Sequence, residues 1–315
     1  VTGRLEARHG GINMRDFVGY ANRPPTVRWP GNAGVAVNFV LNYEEGSEYS
    51  IGEGDGRSEG ALIEVNAVRV KTGDRDFASE SMYEYGSRVG FWRVYRLFRE
   101  RNLPLTIFAA ALALERNSLV AKAIADTDWD IVAHGYRWIE HYNLDEATER
   151  EHIAKAHASI LDTVGRAPDG WYCRYSPSAH TRRLVVEHGG YSYDSDAYND
   201  EVPYWLSVEG KQHLVVPYSL VTNDAKLLAG GGIETAGDYA QFLIDTFDVL
   251  RAEGQATPRM MSIGLHPRVI GHPGRFAGLI KFLDHVIASP DAWIARRSDI
   301  AAHWRAVMPP KELVA

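Results

Sequence analysis

One stretch limits the folds open to this chain more than any other: Ala33–Gly46, AGVAVNFVLNYEEG. Val35, Val37, Phe39, Leu41 and Tyr43 alternate with Ala36, Asn38, Val40 and Asn42, and nearly all of these are apolar or small. Such a strand has no face suited to water, so it belongs inside a sheet covered on both sides. It runs into Glu44, Glu45 and Gly46. Neighbouring strand residues point to opposite faces, so if the strand continues through both acids, one carboxylate faces the interior or mouth of the structure. An acid at the C-terminal end of a buried strand is a catalytic position in α/β folds; two solvated loop acids are the plain alternative.

The rest of the chain alternates strand and helix patterns. Helices are predicted near Met82–Glu100 and Glu115–Ala125, and from Asp145 to the C′ glycine Gly165. Others run from Thr181 to Gly189, from Thr235 to about Glu253, and from Pro273 through Ile287, with a final one capped by Ser298. Strands are predicted at Leu105–Ala109, Trp129–Ala133, Gly170–Arg174, Tyr191–Ser195, Leu214–Pro217, Met260–Leu265 and Trp293–Ala295. Alternation of this kind implies parallel strands with helical crossovers. No G-x-G-x-x-G or phosphate-loop motif follows the first strand. The expected fold is therefore an irregular (β/α) barrel of about seven parallel strands rather than an open nucleotide-binding sheet. Residues 1–32, polar and rich in Gly and Pro, read as an arm, and 33–315 as one barrel domain. The acidic, glycine-rich stretch at about 44–80 reads as a lid.

Composition narrows the partners. The formal charge of −7 and the lack of Lys/Arg clusters give no footprint for nucleic acid. Cys173 is the single cysteine, so neither an intrachain disulfide nor a cysteine-based zinc cluster is possible. No apolar run approaches the ~18 residues of a membrane span. The N-terminal VTGRLEARHGG has no apolar core of a signal peptide, so a soluble cytoplasmic protein acting on a small molecule is expected.

Three strand ends carry titratable groups: Glu44 with Glu45, His134 and His266. In a barrel, parallel strands all end on one face, so these residues would converge. A base to activate water and an acid to protonate a leaving nitrogen are what a hydrolytic site needs. A lone histidine is more often structural, and it is the convergence that favours function.

The same segments resemble the polysaccharide deacetylase superfamily, from about Ala33 to Val286. NYEEG (Asn42–Gly46) stands where that family has two aspartates and a glycine. AHGYRW (Ala133–Trp138) has the first histidine of its histidine pair, with Trp138 at the second position. CRYSP (Cys173–Pro177) is similar to its arginine-proline segment, and Leu265-His266 to its final motif. The allantoinase and cyclic-imide-hydrolase branch is more similar still, at YEYGSR, HGYRW, DEATERE, GWY, TRRLVVEHGG and GLHPRVIGHPGR. CRYSPSAHTRR departs from that branch. The resemblance implies Glu44 as general base, Glu45 and His134 as metal ligands, His266 as catalytic histidine, cyclic amides as substrates, and a homo-oligomer.

Catalytic zinc usually has three protein ligands and an open position. Glu45 and His134 are two, the Trp138 indole cannot ligate, and His141 lies at no recognised spacing. No cofactor is therefore expected, with at most a weakly held zinc ion. Without metal, Glu44 would deprotonate water, its pKa raised by Glu45 beside it. His266 would protonate the departing nitrogen, and Arg174 or backbone N–H groups would hold the oxyanion. Tyr136, Trp138, Trp171 and Tyr172 would wall a small pocket, ordinary barrel-mouth packing being the alternative. Cys173 reads as a buried thiol; Asp194 and Asp196 read equally as residues that orient a histidine or bind substrate and as turn residues, and His272 with Arg275 equally as an anion site and as helix caps. Two other functions compete with cyclic-amide hydrolysis: metal-dependent deacetylation of N-acetylated sugars, and a catalytically silent binding protein.

Overall fold

The computed structural model describes residues 15–65, 70–228, 230 and 232–310. It contains nine strands in one sheet: β1 (Val35–Tyr43), β2 (Thr106–Ala109), β3 (Asp130–Ala133), β4 (Gly170–Trp171), β5 (Tyr193–Asp194), β6 (Tyr204–Val208), β7 (Lys211–Val215), β8 (Arg259–Leu265) and β9 (Ala292–Ile294). The order is β6-β7-β5-β4-β3-β2-β1-β8, with β9 pairing the start of β1. All pairings are parallel except that of β6 with β7. The sheet curls into an irregular (β/α) half-barrel. At the seam between β7 and β8 a lone bridge joins Asn223 to Gly264, and a cavity of about 1380 Å³, lined in part by Tyr198, Tyr218 and Thr222, runs along it.

Against the expected seven or so parallel strands, eight pair in parallel, and β6 is added as the antiparallel partner of β7 in a hairpin whose turn, Glu209-Gly210, has both residues at positive φ. The apolar alternation of β6 is only half-buried, which hid it in the sequence. Two boundaries also move. The predicted helix near Glu115–Ala125 is two, Ala111–Arg116 and Ser118–Ala125, divided at Asn117, whose side chain caps the second. The last helix is capped at Arg296 and not at Ser298, whose N–H instead binds Asp130 at 2.9 Å.

Period-two alternation sorts the core. Val35, Val37, Phe39, Leu41 and Tyr43 pack outward against the helices. Ala36 and Val40 face inward with Phe108, Val132, Tyr172, Tyr193, Leu214 and Val216. Trp29 from the N-terminal arm joins that inner cluster, its ring tilted against those of Trp293 and Trp304. Glu44 continues the inward phase and Glu45 the outward one. Among the described residues no helix is long and apolar enough to cross a membrane.

The predicted helix near Met82–Glu100 starts at Phe77 and passes through a π-helical turn at Gly86–Gly90 before continuing to Glu100. Such turns recur at functional sites, and here both glycines are needed for close approach. A Cβ on Gly86 would lie 2.2 Å from Glu45 Oε1, and one on Gly90 would lie 2.0 Å from the Pro267 carbonyl oxygen. The helix is thus seated against the outward carboxylate and against the turn after β8.

Candidate active site

Glu44, His134 and His266, at the ends of β1, β3 and β8, meet at the barrel mouth. Glu44 Oε1 lies 3.1 Å from His134 Nε2 and 3.6 Å from His266 Nε2. All three side chains are buried. The other nitrogens orient the rings. His134 Nδ1 faces the Tyr172 carbonyl at 2.9 Å, and a carbonyl can only accept, so that nitrogen carries hydrogen. His266 Nδ1 lies 2.6 Å from Asp224 Oδ1, while Asp224 Oδ2 accepts the backbone N–H groups of His266 and Ile270. Asp224 therefore fixes the ring so that Nε2 points at Glu44 and the mouth.

A fourth group completes the centre. Arg268, buried two residues after His266, donates from Nη2 to Glu44 Oε2 at 2.7 Å and from Nη1 to Glu45 Oε1 at 3.3 Å. Its Nε donates to the Leu62 carbonyl at 3.0 Å. One guanidinium thus spans both carboxylates, although they leave the strand on opposite faces.

These contacts divide the two acids in the sense opposite to the one expected. Burial pushes Glu44 up, but Arg268, then His266 and His134, outweigh it and bring its pKa down to about 2. Glu45 goes up to about 7: burial dominates, Arg268 opposes it, and the Glu44 charge adds to it. His266 is itself raised, because Asp224 and Glu44 outweigh the burial that would lower it. At neutral pH the inward carboxylate is ionised, and the imidazole facing it is biased toward its protonated form. That polarity suits a base and an acid working across one substrate.

The Glu45 shift has a stability consequence. A carboxyl whose folded pKa lies above its ordinary 4.5 is most favourable below that value, and its contribution is lost as pH rises toward 7. The loss amounts to at most about 3 kcal/mol. Glu45→Gln keeps an acceptor for Arg268 and cannot ionise. Its unfolding free energy, compared with wild type by denaturant titration, should therefore improve between pH 5 and pH 8 by up to about 3 kcal/mol. A difference independent of pH would mean that Glu45 is an ordinary carboxylate.

The other predicted site residues are placed as follows. Tyr172 stacks on His134 with ring centroids 5.0 Å apart. Trp138 packs its ring 3.6 Å from the Arg174 guanidinium carbon and 5.2 Å from that of Arg268. Two predicted wall residues fall elsewhere. Tyr136 is turned outward, its hydroxyl on Glu115 and its ring under Lys155. Trp171 is in the outward phase of β4, against His141 and Tyr191. Arg174 is held by Glu59 at 2.6 Å, by Glu140 and by the Trp138 carbonyl, which removes it from the expected oxyanion role. His141 binds Glu149 at 3.0 Å rather than joining His134. Cys173 is buried, and burial pushes its thiol well up, which suits the buried thiol read from the sequence. Asp194 pairs with Arg182 and His213, while Arg275 pairs with Glu64 and His272 stacks on Tyr85. Residues within 44–65 cover the mouth: Glu59 meets Arg174, Leu62 meets Arg268, and the Ala61 carbonyl accepts from Tyr83.

Arg268 and Asp224 are absent from the sequence reading. A useful signal was present for Arg268: it lies two residues after the strand-end His266, in GLHPRVIGHPGR. Asp224 lies 42 positions before the histidine it orients, and no spacing announces it.

A divalent ion does not fit this donor set. Glu45 is engaged by Arg268, and its Oε2 accepts the Glu44 backbone N–H. Trp138 occupies the second histidine position and carries two guanidinium groups against its ring. Among the described residues no group of three or more His, Cys, Asp or Glu is arranged to hold a metal ion.

Comparison with known proteins adds relatives. The polysaccharide deacetylase family pattern matches residues 75–193. A protein of Schizosaccharomyces pombe (strain 972) named "Putative polysaccharide deacetylase" is 38% identical over 316 aligned residues, covering 94% of this chain and 98% of that one. The crystal structure of a "probable Polysaccharide deacetylase" from Pseudomonas aeruginosa PAO1 is 46% identical with a TM-score of 0.89, covering 94% of this chain and 99% of the other. The structure of Puue allantoinase matches with the same identity and TM-score, covering 94% and 98%.

Proposed function

Because this chain belongs to the polysaccharide deacetylase family and is a hydrolase of carbon–nitrogen bonds other than peptide bonds, we propose that it opens a small cyclic amide or imide, allantoin-like, with water activated by Glu44. The observation that carries this reading is Arg268: a buried arginine fills the space between the two carboxylates and, with Arg174, flanks Trp138. The positive charge at the mouth is covalently part of the chain. An acetamide is acyclic, has no ring strain to release and needs strong carbonyl polarisation, whereas a strained ring amide needs less. The allantoinase of similar sequence and fold supports the same reading.

In this mechanism water lies between Glu44 and the substrate carbonyl carbon. A carboxylate held near pH 2 is a weak base, so the proton moves late, once the new C–O bond has made the water acidic. The carbonyl π pair moves onto oxygen as that bond forms. It returns as the C–N bond breaks, and the departing nitrogen takes the proton from His266 Nε2. Asp224 stabilises the imidazolium beforehand and restores the ring orientation afterwards. The proton held by Glu44 then passes to His266 or to solvent. We propose further that the 44–80 segment, of which 66–69 lie outside the described residues, is latched through Glu59 and Leu62 and closes over bound substrate.

The purified protein should open allantoin, hydantoin or a simple imide, followed by loss of ring absorbance, and release little acetate from chitooligosaccharides. Fast acetate release with no ring opening would replace this reading by sugar deacetylation. No turnover of either class would favour a silent binding protein.

A further inference from the structure

Glu44 supplies a base and His266 an acid, but with Arg174 engaged by Glu59 and Glu140 the expected oxyanion donor is taken up elsewhere. Tyr218 follows β7 in the inward phase of Leu214 and Val216 and belongs to the inner cluster. Its ring lies 5.0 Å from that of Tyr172, which stacks on His134. Its hydroxyl fills the space left by Gly264, two residues before His266 and in the same phase. A Cβ at Gly264 would lie 2.1 Å from that oxygen. The hydroxyl therefore sits one layer beneath Glu44 and His266, and Tyr218 also lines the seam cavity.

Its hydrogen-bonding state follows from its neighbours. Asn42 Nδ2 lies 3.4 Å from the Tyr218 oxygen and 3.1 Å from the Leu265 carbonyl, so it is the donor end of that amide. Asn223 Nδ2 lies 3.3 Å from the same oxygen, and Asn223 Oδ1 accepts from the Ala225 N–H. Both amides therefore donate to the phenol. A hydroxyl accepting two bonds still has one hydrogen to give. Among the described residues no acceptor takes it, and the two accepted bonds polarise the O–H and make it a stronger donor.

We propose that the Tyr218 hydroxyl donates to the amide carbonyl oxygen of the substrate as water attacks. The proposal deepens the hydrolytic reading above. No proton is transferred by Tyr218: the oxygen gains the π electron pair, shortens its hydrogen bond to the phenol, and gives the pair back when the C–N bond breaks. Asn42 and Asn223 are positioning residues that hold the phenol, and Gly264 makes room for it.

Tyr218→Phe removes the hydroxyl and keeps the ring. It should lower kcat by about 10²-fold or more with little change in KM, as loss of an oxyanion donor does. The comparison is made on whichever amide, cyclic or N-acetyl, the wild-type enzyme turns over fastest, so the fate of the cyclic-amide reading does not blur it. A thermal melt establishes that the variant is folded. Ring-difluorinated tyrosine placed at position 218 keeps the hydroxyl and both accepted bonds while making the phenol more acidic. It should bring a new alkaline fall in rate to lower pH, which a purely structural tyrosine would not do. A folded Tyr218→Phe with kcat within about threefold of wild type, or a difluorotyrosine enzyme with the wild-type pH profile, would overturn the proposal.

Discussion

Glu44→Gln should reduce kcat by about 10²- to 10⁴-fold and leave KM nearly unchanged, because the amide keeps the shape and cannot take a proton. The loss should not be recovered at high pH, since hydroxide in bulk does not replace an aligned water. The variant should fold, because Arg268 retains Glu45 as a partner. The acid side of the wild-type profile carries a second signature. With the carboxylate held near 2 by Arg268, His266 and His134, the rate should show no inflection near the ordinary glutamate value. Kinetics from pH 3 to pH 9 on both proteins check these outcomes together. An inflection near pH 4.5 that disappears in the variant would mean that the Arg268 pairing is not maintained in solution.

Arg268→Met should destabilise the protein by about 3–5 kcal/mol, the cost of breaking a buried ion pair from one side. Two adjacent buried carboxylates would lose their shared counter-charge, and the Leu62 carbonyl would lose its donor. Part of the loss should be relieved by combining Arg268→Met with Glu45→Gln, which removes one of the stranded charges. A double-mutant cycle by denaturant unfolding measures that coupling. Purely additive effects would show that Arg268 and Glu45 do not interact.

The fold was legible because its longest strand is apolar on both faces and its strand ends carry the chemistry. β1, β3 and β8 delivered Glu44, His134 and His266 to one mouth as their positions required. Single-residue phase was harder to read. Trp171 ends the two-residue strand β4 and Tyr172 follows it directly, yet only Tyr172 joins the inner cluster. The electrostatics were not legible, since the shift of Glu44 depends on an arginine 224 positions away in sequence. Adjacency of the two glutamates suggested that Glu45 raises the pKa of Glu44. Arg268 allots the benefit mainly to Glu44 and leaves Glu45 to carry the burial cost. The hairpin of β6 escaped because an antiparallel, half-exposed edge lacks the apolar run that marked the parallel strands.

The most direct test of Arg268 as the resident positive charge is metal analysis of the purified enzyme together with its rate before and after exhaustive chelation. Metal well below one equivalent per chain and an unchanged rate of ring opening are expected. One equivalent of zinc, with activity lost on its removal and restored on its return, would contradict this role of Arg268.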